Sequence, residues 1–143
     1  MTSLKVVRTI VVNAPRQKIW RAITEPADLI EWYAPGCRWE ISQLRPGSTV
    51  RFFNTDTDIQ EATIETVEPQ KLLSLRWRPD NNHPFATLLN TYQLDEAGES
   101  THVTITQSGY ETAPDGAGEQ WYQQDEQAFT AIAAALKDHA ERK

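Results

Sequence analysis

The chain has almost no sulfur chemistry: its 143 residues include one cysteine and one methionine. The single cysteine, Cys37, cannot form an intramolecular disulfide, which is typical of a protein from a reducing compartment. Histidine is nearly as scarce, and His83, His102 and His139 show neither the i, i+4 spacing nor the nearby cysteines of a zinc site. We therefore expect no disulfide and no metal.

Long apolar runs and phosphate-binding loops are also missing. The longest apolar run, residues 131–136, is far too short to cross a bilayer, and the first residues lack the apolar block of a signal peptide. These absences favour a cytoplasmic protein without a membrane span. The six glycines do not form a phosphate-cradling loop ahead of a helix, so we expect no nucleotide cofactor. A net charge of −6 disfavours nucleic acid as a partner, because phosphate requires clustered Lys and Arg.

What remains is the composition of one ordinary globular domain. Hydrophobic residues make up 39% and charged residues 24%, well away from the balance of disordered chains. A chain of 143 residues supports one sizeable core, whereas two would both be marginal. We expect a single domain over residues 1–143.

The hydrophobic pattern predicts an antiparallel sheet with helices. β-Branched or alternating apolar residues predict seven strands, at residues 4–12, 37–41, 50–53, 60–67, 72–77, 86–94 and 101–107. Two short helices are predicted after the first strand, at residues 15–23 and 27–32, with Asn13 and Thr24 as caps. A loop at residues 95–99 is predicted between the last two strands.

A long helix is predicted over residues 119–142, which contain no Gly or Pro. One face of this helix is apolar and should pack on the sheet. The predicted stripe comprises Trp121, Ala128, Phe129, Ile132, Ala135 and Leu136. With the strands, this order indicates an α+β fold.

The element order and a set of short motifs resemble the START-like superfamily, also called SRPBCC. Within it, the chain is similar to bacterial homologues of the family that activates the ATPase of a heat-shock chaperone. The motifs are Ala14-Pro15, Ile19-Trp20, Thr24-Glu25-Pro26, Trp32-Tyr33, Pro35, Leu44-Arg45-Pro46-Gly47, Pro69, Leu72–Trp77 and Thr106-Gln107-Ser108-Gly109-Tyr110. The resemblance implies a helix-grip fold, in which a curved antiparallel sheet of six to seven strands is closed by the C-terminal helix around an apolar cavity.

Large aromatic side chains are the candidates for lining that cavity. Many are expected where the sheet meets the long helix, and the small Ala128, Ala131 and Ala135 on that helix would leave volume unfilled. A solid core made of the same residues is the alternative. The predicted ligand-binding residues are Trp32, Trp39, Phe52, Leu75, Trp77, Asn90, Tyr92, Ile105, Gln107, Tyr110, Trp121, Phe129 and Ile132.

No catalytic residue is predicted. Glu61 and Glu65 share one face of a strand and could work as an acid/base pair, but their parity matches Thr63, which predicts a solvated face. Cys37 falls on the apolar side of its strand, as a small buried hydrophobe would, and Ser108 lacks a nucleophile-elbow motif.

Three functions therefore stay open. The first is non-catalytic binding of a hydrophobic small molecule, lipid-like or aromatic, and it is our prediction. The second is a cyclase- or dehydratase-like enzyme acting on a hydrophobic substrate, which is implied by relatives of the fold and needs an acid or base in the cavity. The third is contact with a chaperone, implied by the activator family.

Overall fold

The computed structural model describes residues 4–33, 35, 37–78, 87–113 and 117–142. These residues form seven strands, three α-helices and one 3₁₀ turn. In chain order the elements are β1 (Val6–Val12), α1 (Arg16–Thr24), α2 (Pro26–Trp32), β2 (Arg38–Ile41), β3 (Thr49–Phe53), β4 (Ile59–Glu68), β5 (Leu72–Trp77), β6 (Leu89–Ala97), β7 (Ser100–Ser108), the 3₁₀ turn (Tyr110–Thr112) and α3 (Ala117–Glu141). The predicted α+β class and element order are confirmed.

All seven strands belong to one antiparallel sheet with the order β1-β7-β6-β5-β4-β3-β2. The first strand pairs with the last, and every other neighbour is a hairpin partner. The long helix α3 contacts β1, α1 and α2, so it closes the face of the sheet that carries the core. This is the predicted helix-grip arrangement. Among the described residues, no helix combines the length and the hydropathy that crossing a bilayer requires.

The two faces of the sheet differ as the alternation predicts. Tyr92 opposite Ile105 and Leu94 opposite Val103 are buried in the core. On the outer face, carboxylates of β4 pair with arginines of the neighbouring strands: Glu61 Oε2 lies 2.9 Å from Arg51 Nε, and Glu65 Oε2 lies 2.8 Å from Arg76 Nε. The solvated interpretation of Glu61 and Glu65 is therefore confirmed, although the register of β4 does shift between Ile64 and Thr66.

The buried stripe of α3 differs in part from the predicted one. Phe129, Ala133, Leu136 and Ala140 are buried, and their spacing of four, three and four residues keeps them on one side of a helix. Ala128 is exposed, so the small residues that let the helix approach the sheet are Ala133 and Ala140. Leu136 is fully buried, which fixes the rotation of α3 so that this side of the helix faces the sheet.

Both predicted helix caps are wrong. Pro15 and Glu25 occupy the cap positions, and neither helix has a side-chain cap. The Asn13 side chain instead accepts a 2.9 Å hydrogen bond from Ser100, and the Thr24 hydroxyl donates 2.6 Å back to the Trp20 carbonyl. Asn13 is thus engaged in a tertiary hydrogen bond and Thr24 in a bond within α1, so neither side chain is free to cap a helix.

The predicted five-residue loop between the last two strands is also wrong. β6 and β7 pair as far as Ala97 opposite Ser100, which leaves a two-residue turn at Gly98 and Glu99. Gly98 has a φ of 66°, a conformation that glycine adopts without steric cost. Two other predicted features, the start of a strand at Ala86 and the loop position of His83, lie outside the described residues.

Candidate functional site

A cavity of about 170 Å³ lies between the sheet and α3. We call it the outer cavity. Its walls come from β2, β3, β4, β5 and β7 on one side and from α3 on the other. The lining residues are Tyr33, Trp39, Phe52, Gln60, Trp77, Arg78, Leu88, Gln107, Asp125, Ala128, Phe129 and Ile132.

A second, much smaller cavity lies beside it and shares Tyr33, Trp39 and Trp77 with it. We call this the inner cavity. Its volume of about 20 Å³ has room for little more than one water molecule. The remaining lining residues are Ile23, Leu29, Ile41, Leu44, Val50, Ile64, Leu73, Leu75, Asn90 and Tyr92.

Four aromatic rings cluster at the outer cavity, and three of them, Tyr33, Trp39 and Trp77, also line the inner cavity. Trp39 on β2 lies directly opposite Phe52 on β3, with ring centroids 4.8 Å apart. Tyr33 ends α2 in an extended conformation, and its ring meets those two edge-on at 5.2 and 5.8 Å. Trp77 completes the cluster 6.2 Å from Trp39. Such edge-to-face packing holds large rings in fixed positions, so the wall is pre-formed.

The opposite end of the outer cavity is polar. The Tyr110 hydroxyl donates a 2.7 Å hydrogen bond to Oδ2 of Asp125, and the Gln107 amide donates to the same oxygen at 2.9 Å. The amide nitrogen of Gln107 also lies 3.2 Å from the Tyr110 hydroxyl, to which it donates. These three residues come from β7, the 3₁₀ turn and α3, and we call them the polar triad. They bring a carboxylate to an otherwise largely apolar cavity.

Two glycines allow the polar triad to form. Gly109 has a φ of 98°, which turns the chain sharply between β7 and Tyr110. Gly118, in the first turn of α3, lies so close to Tyr110 that a Cβ there would stand 2.2 Å from the Tyr110 carbonyl oxygen. This close approach brings α3 over Tyr110, and Asp125 lies two helical turns further along.

Burial keeps the tyrosine hydroxyls of the site protonated. Burial raises the pKa of Tyr33 to about 12, and the negative charge of Asp125 adds to the effect. Burial also raises the pKa of Tyr92, with a smaller contribution from Tyr33. The pKa of Tyr110 is raised first by burial and then by its hydrogen bond to Asp125. The site therefore presents neutral tyrosine hydroxyls together with the Asp125 carboxylate and the Arg78 guanidinium.

Trp39 contributes an unpaired donor to this site. Its side chain is 7% exposed, and its indole Nε1–H has no hydrogen-bond partner among the described residues. A buried N–H without a partner costs about 1–3 kcal/mol, so such a group is uncommon in a packed core.

The family of the chain follows from its sequence. The family model for Activator of Hsp90 ATPase homolog 1-like protein matches residues 13–141. The chain belongs to this family. No curated protein sequence matches the chain.

Solved structures share the family's fold with this chain. A crystal structure of protein MLL2253 from Mesorhizobium loti superposes with a TM-score of 0.81, at 21% identity over 97% of this chain and 98% of that chain. The solution structure of the Aha1 dimer from Colwellia psychrerythraea gives 0.75, at 20% identity over 96% of each chain. DynU16, a putative protein in the dynemicin biosynthetic locus, gives 0.75 at 21% identity, covering 96% of this chain and 47% of that one. At these identities the likeness concerns the fold.

Most of the residues predicted to bind a ligand lie at the two cavities of this family member. Trp39, Phe52, Trp77, Gln107, Phe129 and Ile132 line the outer cavity. Leu75, Asn90 and Tyr92 line the inner one, while Tyr110 reaches the site through its hydrogen bonds to Gln107 and Asp125.

Three predicted residues lie elsewhere. Ile105 is fully buried in the packed core. Trp121 packs against the core while remaining partly exposed. Trp32 donates a 2.7 Å hydrogen bond to the Ala22 carbonyl. It also borders a surface groove that shares Tyr33 and Ile132 with the outer cavity.

Asp125 is the functional candidate that sequence reasoning missed. Within the run Gln123-Gln124-Asp125-Glu126-Gln127 it looks like one more solvated polar residue. Its spacing along the sequence was a usable signal. Phe129 and Ile132 follow Asp125 by four and seven residues, which places all three on one side of the helix. Asp125 therefore adds a carboxylate to the cavity lining.

His139 lies between two carboxylates of α2. Its Nε2 is 3.0 Å from Asp28 Oδ1, and its Nδ1 is 3.8 Å from Glu31 Oε2. The carboxylates face opposite ring nitrogens, and one ion binds only one nitrogen of an imidazole. This arrangement is typical of a polar contact that fastens the end of α3 to α2.

Proposed function

We propose that this protein binds a hydrophobic small molecule in the outer cavity and does not transform it. The observation that carries the proposal is the cavity itself, a volume of about 170 Å³ between the sheet and α3 with aromatic rings on its wall. Apolar surface with a few well-placed polar groups is the usual composition of small-molecule sites. Rigid aromatic rings supply contact area at little cost in side-chain entropy.

The volume limits the size of the ligand. A dry cavity of about 150 Å³ is large enough for benzene, whereas drug-sized ligands occupy about 300–1,000 Å³. The outer cavity is close to the smaller of these values. Its occupant is accordingly a molecule of about one aromatic ring, or an aliphatic group of similar volume.

The fold relatives are compatible with such a role. One of them is described as a putative protein in the dynemicin biosynthetic locus. That description supports a small-molecule function for the fold without identifying a ligand for this chain.

Toluene binding tests the proposal. Calorimetric titration of the purified protein should give saturable one-to-one binding, and Ile132→Trp should abolish it by filling the cavity from α3. The matched control is Gln127→Trp, which adds the same side chain at an exposed position of the same helix. Equal toluene binding by Ile132→Trp and wild type would exclude the outer cavity as the site.

Native mass spectrometry of protein purified from its host gives an independent test. A retained small molecule that is lost from Ile132→Trp supports binding in the cavity. A retained molecule that both proteins hold equally would place the site elsewhere.

Contact with a chaperone is a second candidate, supported by the family to which the chain belongs. Its test is the ATPase rate of a bacterial Hsp90 with and without this protein. Saturable stimulation that Ile132→Trp leaves unchanged would show that this role is independent of the cavity.

A further inference from the structure

We propose that the ligand of the outer cavity is a small amine whose protonated nitrogen pairs with Asp125. This inference rests on the proposed function, because it requires that the cavity binds a small molecule. It adds the chemical class of that molecule, an apolar body of about one ring that carries a single positive charge.

The first observation is that, within the described part of the chain, hydrogen bonds reach only one of the two oxygens of the Asp125 carboxylate. Tyr110 and Gln107 both donate to Oδ2. Among the described residues, none donates a hydrogen bond to Oδ1. The two donors fix the orientation of the carboxylate, and Oδ1 is left to accept a hydrogen bond from a molecule in the cavity.

The second observation is that the charge of Asp125 is not balanced by a cation in the described part of the chain. The next residue shows the contrast, because Glu126 points away from the cavity and forms an ion pair with Arg8 on β1. Asp125 is partly buried beside apolar rings, where the attraction between a carboxylate and a cation is stronger than in bulk water. A ligand ammonium would supply the missing charge.

Arg78 is the other charged residue on the lining, and it is already paired. Its guanidinium lies 3.4 Å from a Glu61 carboxylate oxygen and 3.4 Å from the Thr63 hydroxyl, both on β4. Gln107 lies on β7, and β6 and β5 separate that strand from β4. The two ends of the cavity are thus electrostatically distinct, and the end at Asp125 is the acidic one.

The walls suit a cation as well as a ring. Tyr33, Trp39, Phe52 and Trp77 present aromatic faces and edges to the same cavity, and aromatic faces attract ammonium groups. The net charge of −6 adds a long-range attraction for cations.

Four probes of nearly equal size separate charge from shape. They are benzylamine, benzyl alcohol, toluene and benzoate, each titrated into wild type and Asp125→Asn near neutral pH by calorimetry. Benzylamine should bind wild type about tenfold or more tighter than toluene, because its ammonium can form a charge-assisted hydrogen bond with Asp125 and toluene can form no hydrogen bond. Benzoate should bind most weakly, and Asp125→Asn should reduce benzylamine affinity to about that of toluene.

Glu126→Gln is the matched control, since it removes the same charge from the neighbouring residue that faces Arg8. Its benzylamine affinity should stay within about twofold of wild type, because exposed charges act weakly across solvent. If Asp125→Asn unfolds, the order of the four probes on wild type decides the question. Toluene binding without a preference for benzylamine would overturn the amine proposal and leave the proposed function standing. Failure of all four probes would overturn both.

Discussion

The hydroxyl of Tyr110 donates a 2.7 Å hydrogen bond to Oδ2 of Asp125 and so links the turn after β7 to α3. Tyr110 is 1% exposed and Asp125 is partly exposed, so this bond lies at the edge of the core. It serves the fold by fastening α3 and serves the site by orienting the carboxylate.

Removal of this hydroxyl should lower stability. Tyr110→Phe is expected to reduce the free energy of unfolding by about 1.5–3 kcal/mol, the range for a hydrogen bond to a charged group. Tyr92→Phe is the control, because the Tyr92 hydroxyl is also buried but has no hydrogen bond among the described residues. Urea denaturation should show a much smaller loss for Tyr92→Phe, and equal losses would remove the special role of the Tyr110 bond.

Gly118 should tolerate no side chain. Gly118→Ala would place a methyl group 2.2 Å from the Tyr110 carbonyl oxygen, so the start of α3 must shift. We expect a loss of about 1–3 kcal/mol in stability, as for other overpacked sites. Glu119→Ala, at the next and exposed position, should be nearly neutral. A Gly118→Ala protein as stable as wild type would show that the contact with Tyr110 is not required.

Truncation of Trp77 should reduce the free energy of unfolding by less than truncation of a tryptophan in the solid core. It borders both cavities and is only partly buried, whereas Trp20 is 8% exposed and lies away from both linings. Trp20→Ala is expected to cost about 3–5 kcal/mol and Trp77→Ala appreciably less. Unfolding in urea compares the two, and a larger loss at Trp77 would indicate that the cavity is filled in solution.

Alkaline pH should destabilise the fold over a defined range. The pKa of Tyr33 is about 12 in the folded protein, against 10.0 for the free side chain. The folded state therefore holds this proton at a pH where the unfolded chain has lost it. That contribution is complete below about pH 10 and disappears as the pH rises through about 12. Chemical denaturation between pH 8 and 12 should follow this course, with the tyrosinate absorbance of the folded protein staying low until the pH nears 12. A flat stability profile would contradict it.

The fold could be predicted because its signals are local. Alternating side chains on strands such as β5 and β7, and a long segment without Gly or Pro at α3, fix the element types and leave few ways to assemble them. The caps failed because Asn13 and Thr24 have partners that local sequence does not reveal. The turn at Gly98 was missed because strand pairing extended through residues that resemble a polar loop.

The site was predictable in its apolar part and not in its polar part. Aromatic residues at inward strand positions identified the wall, since parity alone decides which face they occupy. Asp125 was not predicted as a site residue, because its importance depends on hydrogen bonds from Tyr110 and Gln107, which lie in a different segment of the chain. Cavity volume likewise depends on packing. The rotation of α3 buries Ala133 and Ala140, which were not predicted, whereas Ala128 lines the outer cavity and Ala135 is partly buried against the core as expected.

The indole N–H signals of the tryptophans give the most direct test of the central claim, that the outer cavity binds a one-ring ligand. During a toluene titration followed by two-dimensional ¹H–¹⁵N NMR, the signals of Trp39 and Trp77, which line the cavity, should shift and saturate together. The signal of Trp20, buried away from the cavity, should stay in place. Unchanged Trp39 and Trp77 signals, or equal and unsaturable shifts of all three, would contradict the account.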